Sequence, residues 1–430
     1  MIFVDDHVEA VTKRLLRVGY LHVPLILSHD DTAPPGAWFQ LFIIALAEFL
    51  GMTLWFSATA VTPALSRELQ LTPAEASWLT MAVQGGFVGG TLLAAFVNIA
   101  DLVSARKLVC AGAMLGALAN AAVVLSPSPW GVILLRCATG VALAAVYPPA
   151  MKMAASWFRG QRGLALGLLI GALTLGKAVP YLITTLFGDA WRLPMALASG
   201  LAVLGGVLVL AFATDGPYLA PATRFDPHAI RRILSIRGAR LAIAGYLGHM
   251  WELYAMWTWV GVYSTASFTA AGLGPAASKA GSLAAFLAIG AGAAGCGLAG
   301  YYSDRLGKAR VAGWSLAVSA ICSALTVVAF GQTPFWTFVL VMVWGFAVVA
   351  DSAQFSALVS EYAPAEHVGT ALTFQTSIGF LLTMVTIDAL PRLAAGVGWQ
   401  YASLLLVPGP VLGAIAMRRL TAPARAVSAP

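Results

Sequence analysis

Apolar runs of membrane-crossing length recur twelve times along the chain, separated by short polar joints. A bilayer core about 30 Å thick needs roughly 20 apolar residues of helix to cross it. Such runs lie near 39–62, 76–99, 106–125, 130–153, 163–187, 192–213, 240–265, 279–302, 310–330, 335–359, 367–390 and 398–417. Pro63, Pro73, the Ser126–Pro129 stretch, Pro217, Pro334 and Pro364 punctuate the joints, as helix-ending residues do. The pattern predicts an all-α membrane protein with twelve transmembrane helices. Its longest polar connection runs from Thr214 to Gly238 with six runs on either side. That predicts two six-helix bundles, over 38–213 and 239–420, joined by a linker over 214–238 and followed by a tail over 421–430. Residues 1–37 carry a basic-apolar patch, Lys13 to Leu27, interrupted by Pro24. It is too short to span and shows no small-residue cleavage site, so it reads as a poorly ordered cytoplasmic extension.

Composition strengthens the membrane reading. Hydrophobic types make up 60% of the 430 residues and charged types 10%, with mean hydropathy +0.83. Soluble domains run near 45–50% apolar and about 25% charged. A disordered chain, a nucleic-acid-binding domain and an ordinary cytosolic enzyme are thereby excluded. The net charge of +7 is a matter of topology. With the N-terminus inside, the inner loops and tail hold Arg106, Lys107, Lys152, Arg159, Arg162, Arg224, Arg231, Arg232, Arg237, Arg240, Arg305, Lys308, Arg310, Arg418, Arg419 and Arg425. The outer loops hold Arg67, Arg192, Lys279 and Arg392. This asymmetry places both termini in the cytoplasm. Cys110, Cys137, Cys296 and Cys322 sit in apolar stretches without CxxC spacing, so neither a disulfide framework nor a metal site is indicated.

The chain also repeats itself. Asp101 and Asp304 occupy similar loops after the second and eighth runs, 203 residues apart. Gly163-Leu-Ala165-Leu166 is echoed by Gly369-Thr-Ala371-Leu372, 206 residues on. Internal repeats are expected of secondary transporters. The segment Gly300-Tyr-Tyr-Ser-Asp304-Arg305-Leu-Gly307-Lys308 resembles the signature loop of the major facilitator superfamily. Its first copy is degraded, with Val97, Leu102 and Ser104 at positions where the second has Gly300, Arg305 and Gly307. Leu135-Arg136-Cys-Ala-Thr-Gly140 resembles the arginine-bearing fourth helix of that family. The stretches around His249–Trp257 and Ala350–Ser356 look like bacterial members of it. The resemblance covers about residues 38–420. It implies a bacterial inner-membrane protein whose two bundles rock about a central cavity, with Asp101, Gly300, Asp304, Arg305, Gly307 and Lys308 forming an inner gate.

Six ionisable residues lie inside the apolar runs: Glu48, Arg136, Lys177, His249, Glu252 and Asp351. Each costs about 2.5–3.5 kcal/mol at the bilayer centre, so each should face a cavity or a partner. The resemblance implies that helices one, four, five, seven and ten, which carry them, line the cavity. A rise of about 1.5 Å per residue puts Arg136 and Lys177 at nearly one depth. They are read as the cationic side of a substrate site completed by Glu48, Tyr254 and Trp257. The alternative for Arg136 is a structural ion pair with Glu48, and for the two aromatics, packing and lipid contact. His249 and Glu252 share a helix face at i,i+3. With Asp351 they are read as the proton-coupling groups.

These features predict a secondary active transporter for a small anionic or polar organic solute. No G-x-x-x-x-G-K-[ST] loop occurs in the sequence, so the energy would come from an ion gradient, and protons suit the buried titratable groups. An enzyme would need a nucleophile and base, or metal ligands, on adjacent faces. The scattered charges do not offer one, and no cofactor is indicated. The expected partners are the solute, protons and the lipid bilayer, with the protein a monomer that binds no nucleic acid. The alternative is an exporter of amphipathic compounds, against which stands Lys177 where such exporters carry proline in a Gly-Pro motif of helix five. A copper importer using His249, Met250 and Met256, and a non-transporting sensor, are minor alternatives.

Overall fold

The computed structural model describes residues 33–97, 99–159, 161–188, 190–219 and 225–422, with the side chains of Ala100 and Asp101 left out. The expected extension up to residue 32, Arg224, and the tail from 423 with Arg425 lie outside the described residues. So does the side chain of Asp101.

Every regular element among the described residues is helical. The principal helices are α1 (Ala37–Met52), α2 (Pro73–Val97), α3 (Ala105–Ala122), α4 (Pro129–Leu143), α5 (Arg162–Phe187), α6 (Arg192–Phe212), α7 (Arg237–Ala270), α8 (Ala276–Leu306), α9 (Lys308–Ala329), α10 (Pro334–Ala350), α11 (Val368–Val397) and α12 (Pro408–Thr421). Shorter helices prolong α4 over Tyr147–Ala155 and α10 over Ser352–Tyr362. Among the described residues, ten helices are long and apolar enough to cross a membrane. The two other expected spans differ for separate reasons. The first is interrupted: α1 stops at Met52, Thr53–Phe56 are not helical, and helix resumes over Ser57–Ala60 and Thr62–Leu69. The seventh is α7, ample in length at 34 residues but carrying Arg237, Arg240, His249 and Glu252.

Within each half, helices cross at glycines. A Cβ on Gly86 of α2 would strike the Cys137 carbonyl of α4, and one on Gly140 of α4 would strike Val83 of α2. The second half repeats the device. Gly292 of α8 meets α10 at Val349 and Gly345, while Gly345 meets the Ala288 carbonyl. Gly292 and Gly345 stand 206 and 205 residues beyond Gly86 and Gly140, close to the offsets seen between the repeated loops. The two halves meet along α5 against α8 and α2 against α11. Gly171 lies against Ala293, Leu175 against Gly290 and Gly85 against Met384. At one rim, Arg192 at the start of α6 and the neighbouring Trp191 donate to the Glu68 carboxylate. These bonds, that of Arg192 first, hold the Glu68 carboxyl below its ordinary range.

Candidate functional site

The site begins with a glycine. Gly176 of α5 has no side chain, and a Cβ there would collide with the Phe49 carbonyl of α1. The two backbones therefore touch, which brings the neighbouring residues Lys177 and Glu48 into one buried region. Lys177 is 3% exposed and Glu48 not at all. The Lys177 Nζ donates to the Tyr254 Oη at 2.7 Å. Tyr254 belongs to α7, so this bond joins the two halves. The ammonium also lies 4.3 Å from the centroid of the Trp55 ring, 5.0 Å from that of Tyr254 and 5.3 Å from that of Trp257. Tyr254 and Trp257, one helical turn apart, meet edge to face at 5.3 Å. Phe56, Phe87 and Phe380 back this cage with ring contacts of 5.1–6.2 Å. A second bond between the halves runs from the Tyr181 Oη to the Trp257 carbonyl, at 2.8 Å. A third joins Thr383 of α11 to Gln84 of α2.

On and beside the helices that build this core, several buried polar atoms have no partner. Both Glu48 carboxylate oxygens, the indole nitrogens of Trp55 and Trp257, Gln84 Nε2, Thr174 Oγ1 and the side-chain amide of Gln375 are buried with no hydrogen-bond partner in the structure. Native interiors rarely leave such groups unpaired. They sit on or beside α1, α2, α5, α7 and α11, drawn from both halves. Glu48 and Lys177 are near enough for their charges to attract, yet the carboxylate takes no hydrogen bond from the ammonium. Donors and acceptors are thus both available to a bound solute.

Arg136 stands elsewhere. Its guanidinium donates to the carbonyls of Leu54 at 3.0 Å, Trp55 at 2.5 Å and Leu79 at 3.3 Å, and to Ser57 Oγ and Asn120 Oδ1. Asn120 in turn donates to the Met195 carbonyl and Ser199. These partners all belong to the first half, and two of the carbonyls are those exposed where the helix after Met52 breaks. The structure does not bring Arg136 to Lys177, and it pairs neither Arg136 nor Lys177 with Glu48 in an ion pair. Trp55 alone links them: its carbonyl takes the arginine and its ring takes the lysine.

His249 and Glu252 share α7 and are both buried, but they turn to different neighbours. His249 Nδ1 lies 2.8 Å from Asp351 Oδ1. The two atoms are in close polar contact without an aligned ring N–H hydrogen bond. Its Nε2 lies 3.1 Å from Ser352 Oγ, and Tyr246 and Phe355 flank the ring. Asp351 occupies the break between α10 and its continuation. Glu252 accepts from Ser319 Oγ of α9 and Trp344 Nε1 of α10, each at 2.7 Å. Both oxygens are committed to neighbours in the second half.

The signature loop lies at the α8–α9 joint. Gly307, at φ 90°, ends α8 and lets the chain turn into α9. Arg305 lies 4.3 Å over the Tyr301 ring of its own helix. Lys308 pairs with Glu361 at 2.5 Å, tying α9 to the helix Ser352–Tyr362. Gly300 has open space at its Cβ direction. Asp304 is exposed and has no hydrogen bond or ion pair among the described residues. The groups missed from sequence are Trp55, Gln84, Asn120, Thr174 and Gln375. Polar residues inside apolar runs were the available signal for four of them, and Trp55 carried none.

Comparison with known proteins places these observations in a family. The model of the major facilitator superfamily matches residues 41–387. The hexuronate transporter of Escherichia coli K12 is 22% identical over 178 residues, 41% of this chain and 41% of that protein. The puromycin resistance protein pur8 of Streptomyces alboniger is 26% identical over 227 residues, 52% of this chain and 43% of that protein. The matched stretch thus spans less than half the length of either relative. The crystal structure of the nucleoside transporter NupG superposes with a TM-score of 0.66 at 14% identity, over 89% of this chain and 100% of that one, a likeness of fold.

Proposed function

The chain belongs to the major facilitator superfamily, and we propose that it is a multi-pass transporter, not an enzyme, that moves a small organic anion across a bacterial inner membrane by alternating access, driven by protons. The observation that carries this reading is the Lys177–Tyr254 bond between the halves, set in an aromatic cage and ringed by unpartnered polar groups. A carboxylate on the solute supplies the counter-charge for Lys177. Its hydroxyls meet Glu48, Gln84, Thr174, Gln375 and the two indoles, and its ring face lies on Trp55 or Trp257. The hexuronate relative makes a sugar acid the first solute to test. Arg136 is assigned a supporting role, holding Trp55 in place from outside the cage.

The proton is assigned to the His249–Asp351 pair, which sits at the break in α10 where a change of charge can alter helix packing. Glu252 is bonded at both oxygens and is assigned to holding α7, α9 and α10 together. Proteoliposomes should accumulate a hexuronate when an inward proton gradient is imposed. Asp351→Asn should lose that accumulation while keeping solute exchange, and Glu252→Gln should keep both in whatever protein folds. Gradient-driven accumulation at the wild-type level in Asp351→Asn would move the coupling site elsewhere.

A second reading, export of amphipathic compounds, draws support from the aromatic lining and the pur8 relative. Uptake of the anion into vesicles with no effect of amphipathic drugs decides against it. Topology is tested separately. Reporter fusions at Gly216 and at the C-terminus are both expected to read cytoplasmic, from the basic residues of the linker and of α12. A periplasmic reading at either point breaks the orientation model.

A further inference from the structure

The Lys177 ammonium occupies the place that a free organic cation would take in an aromatic cage. Two indole centroids lie 4.3 and 5.3 Å from it, Trp55 from the segment after α1 and Trp257 from α7, and Tyr254 of α7 closes the cage through its hydroxyl at 2.7 Å. Ring faces are electron-rich and attract cations, and cages of this kind recognise alkylated ammonium groups. A buried carboxylate, Glu48, lies close by with both oxygens unpartnered. Cage and carboxylate together form a cation site, and they would do so without the lysine.

We propose that this cage is an alkylammonium site, that Lys177 fills it as a tethered cation, and that Lys177 is therefore the residue that excludes organic amines from the central site. The side chain enters from α5, where the Gly176–Phe49 contact fixes its origin, and reaches across to Tyr254 of the other half. In the wild-type protein a second ammonium meets a cage already occupied and repelled by like charge. The same residue then presents its positive charge to an anionic solute. Selectivity for anions thus follows from one side chain laid over a cavity whose other walls favour cations. The anion half of this statement rests on the proposed function; the cage half does not.

Truncation provides the test. Lys177→Ala removes Cγ, Cδ, Cε and Nζ, the outline of n-propylammonium, and leaves the rings and Glu48 in place. Calorimetry on purified protein should find n-propylammonium binding to Lys177→Ala at least tenfold more tightly than to wild type. The neutral isostere n-propanol should not bind either protein. Adding Trp55→Leu to Lys177→Ala should weaken the amine roughly thirtyfold, the worth of one desolvated ring face, and adding Glu48→Gln should weaken it as well. The proposal is overturned if folded Lys177→Ala ignores the amine, if it binds n-propanol equally, or if wild type binds the amine equally. Should Lys177→Ala fail to fold alone, preparing it in n-propylammonium should restore monodisperse protein, and no recovery overturns the proposal too. Hexuronate binding to wild type is a separate measurement, so the anion reading can fail while the cage reading stands.

Discussion

Lys177→Met is expected to lower affinity for the anionic solute by more than a hundredfold while leaving the helical fold in place. Methionine nearly matches the volume of lysine, so the cage of Trp55, Tyr254 and Trp257 stays filled. What is lost is the positive charge and the bond to Tyr254. Removing one member of a desolvated charge pair costs about 3–5 kcal/mol, and each 1.4 kcal/mol is about tenfold in affinity. Separately, Glu48 is left buried without a counter-charge, which lowers stability rather than affinity. Lys177→Met with Glu48→Gln should therefore regain thermal stability but not binding. Direct binding of a radiolabelled hexuronate to detergent-purified protein reads the first effect and thermal melting the second. An unchanged dissociation constant in Lys177→Met would remove Lys177 from the site.

Much of the architecture is legible because the bilayer writes it into the sequence. A helix must be about 20 apolar residues long to cross, so α2 to α6 and α8 to α12 appear as runs. The repeat is legible because both halves solve the same packing problem, with Gly86 and Gly140 answered by Gly292 and Gly345. Azimuth is what the runs do not disclose. Rise per residue predicts one depth for Arg136 and Lys177, but the structure gives them different neighbours on α4 and α5. His249 and Glu252 share a stretch of helix, yet partners 102 and 67 residues away draw them apart. The break after Met52 has no proline to announce it. Its carbonyls are served by Arg136 from another helix, and no local pattern reports a donor that arrives from 81 and 82 residues away.

Because one guanidinium serves that break, Arg136→Ala is expected to destabilise the first half strongly. In lipid a backbone carbonyl without a donor costs several kcal/mol, since no water replaces the lost bond. Arg136 serves the Leu54, Trp55 and Leu79 carbonyls together with Ser57 and Asn120. The Leu79 carbonyl, inside α2, keeps the bond of its own helix, and the Leu54 carbonyl has Ser57 Oγ at 3.0 Å, a hydroxyl whose one proton Asn120 Oδ1 also draws at 2.6 Å; the Trp55 carbonyl has no side-chain donor other than Arg136 among the described residues. A loss of at least about 3–5 kcal/mol is expected, as for a broken buried charge network. Arg136→Lys should fall between, because an ammonium is a point donor and cannot span carbonyls on two segments as the planar fork does. Asn120→Ala should cost less, removing one acceptor and two donations within the half. Thermal melting in detergent ranks the three. Solute affinity in the folded Arg136→Lys protein should stay within about threefold of wild type, a shift of under 1 kcal/mol, because Trp55 is held from its carbonyl side and its ring still faces Lys177. The opposite pattern, wild-type stability in Arg136→Ala with binding abolished, would make the arginine a ligand of the solute and the broken helix self-supporting.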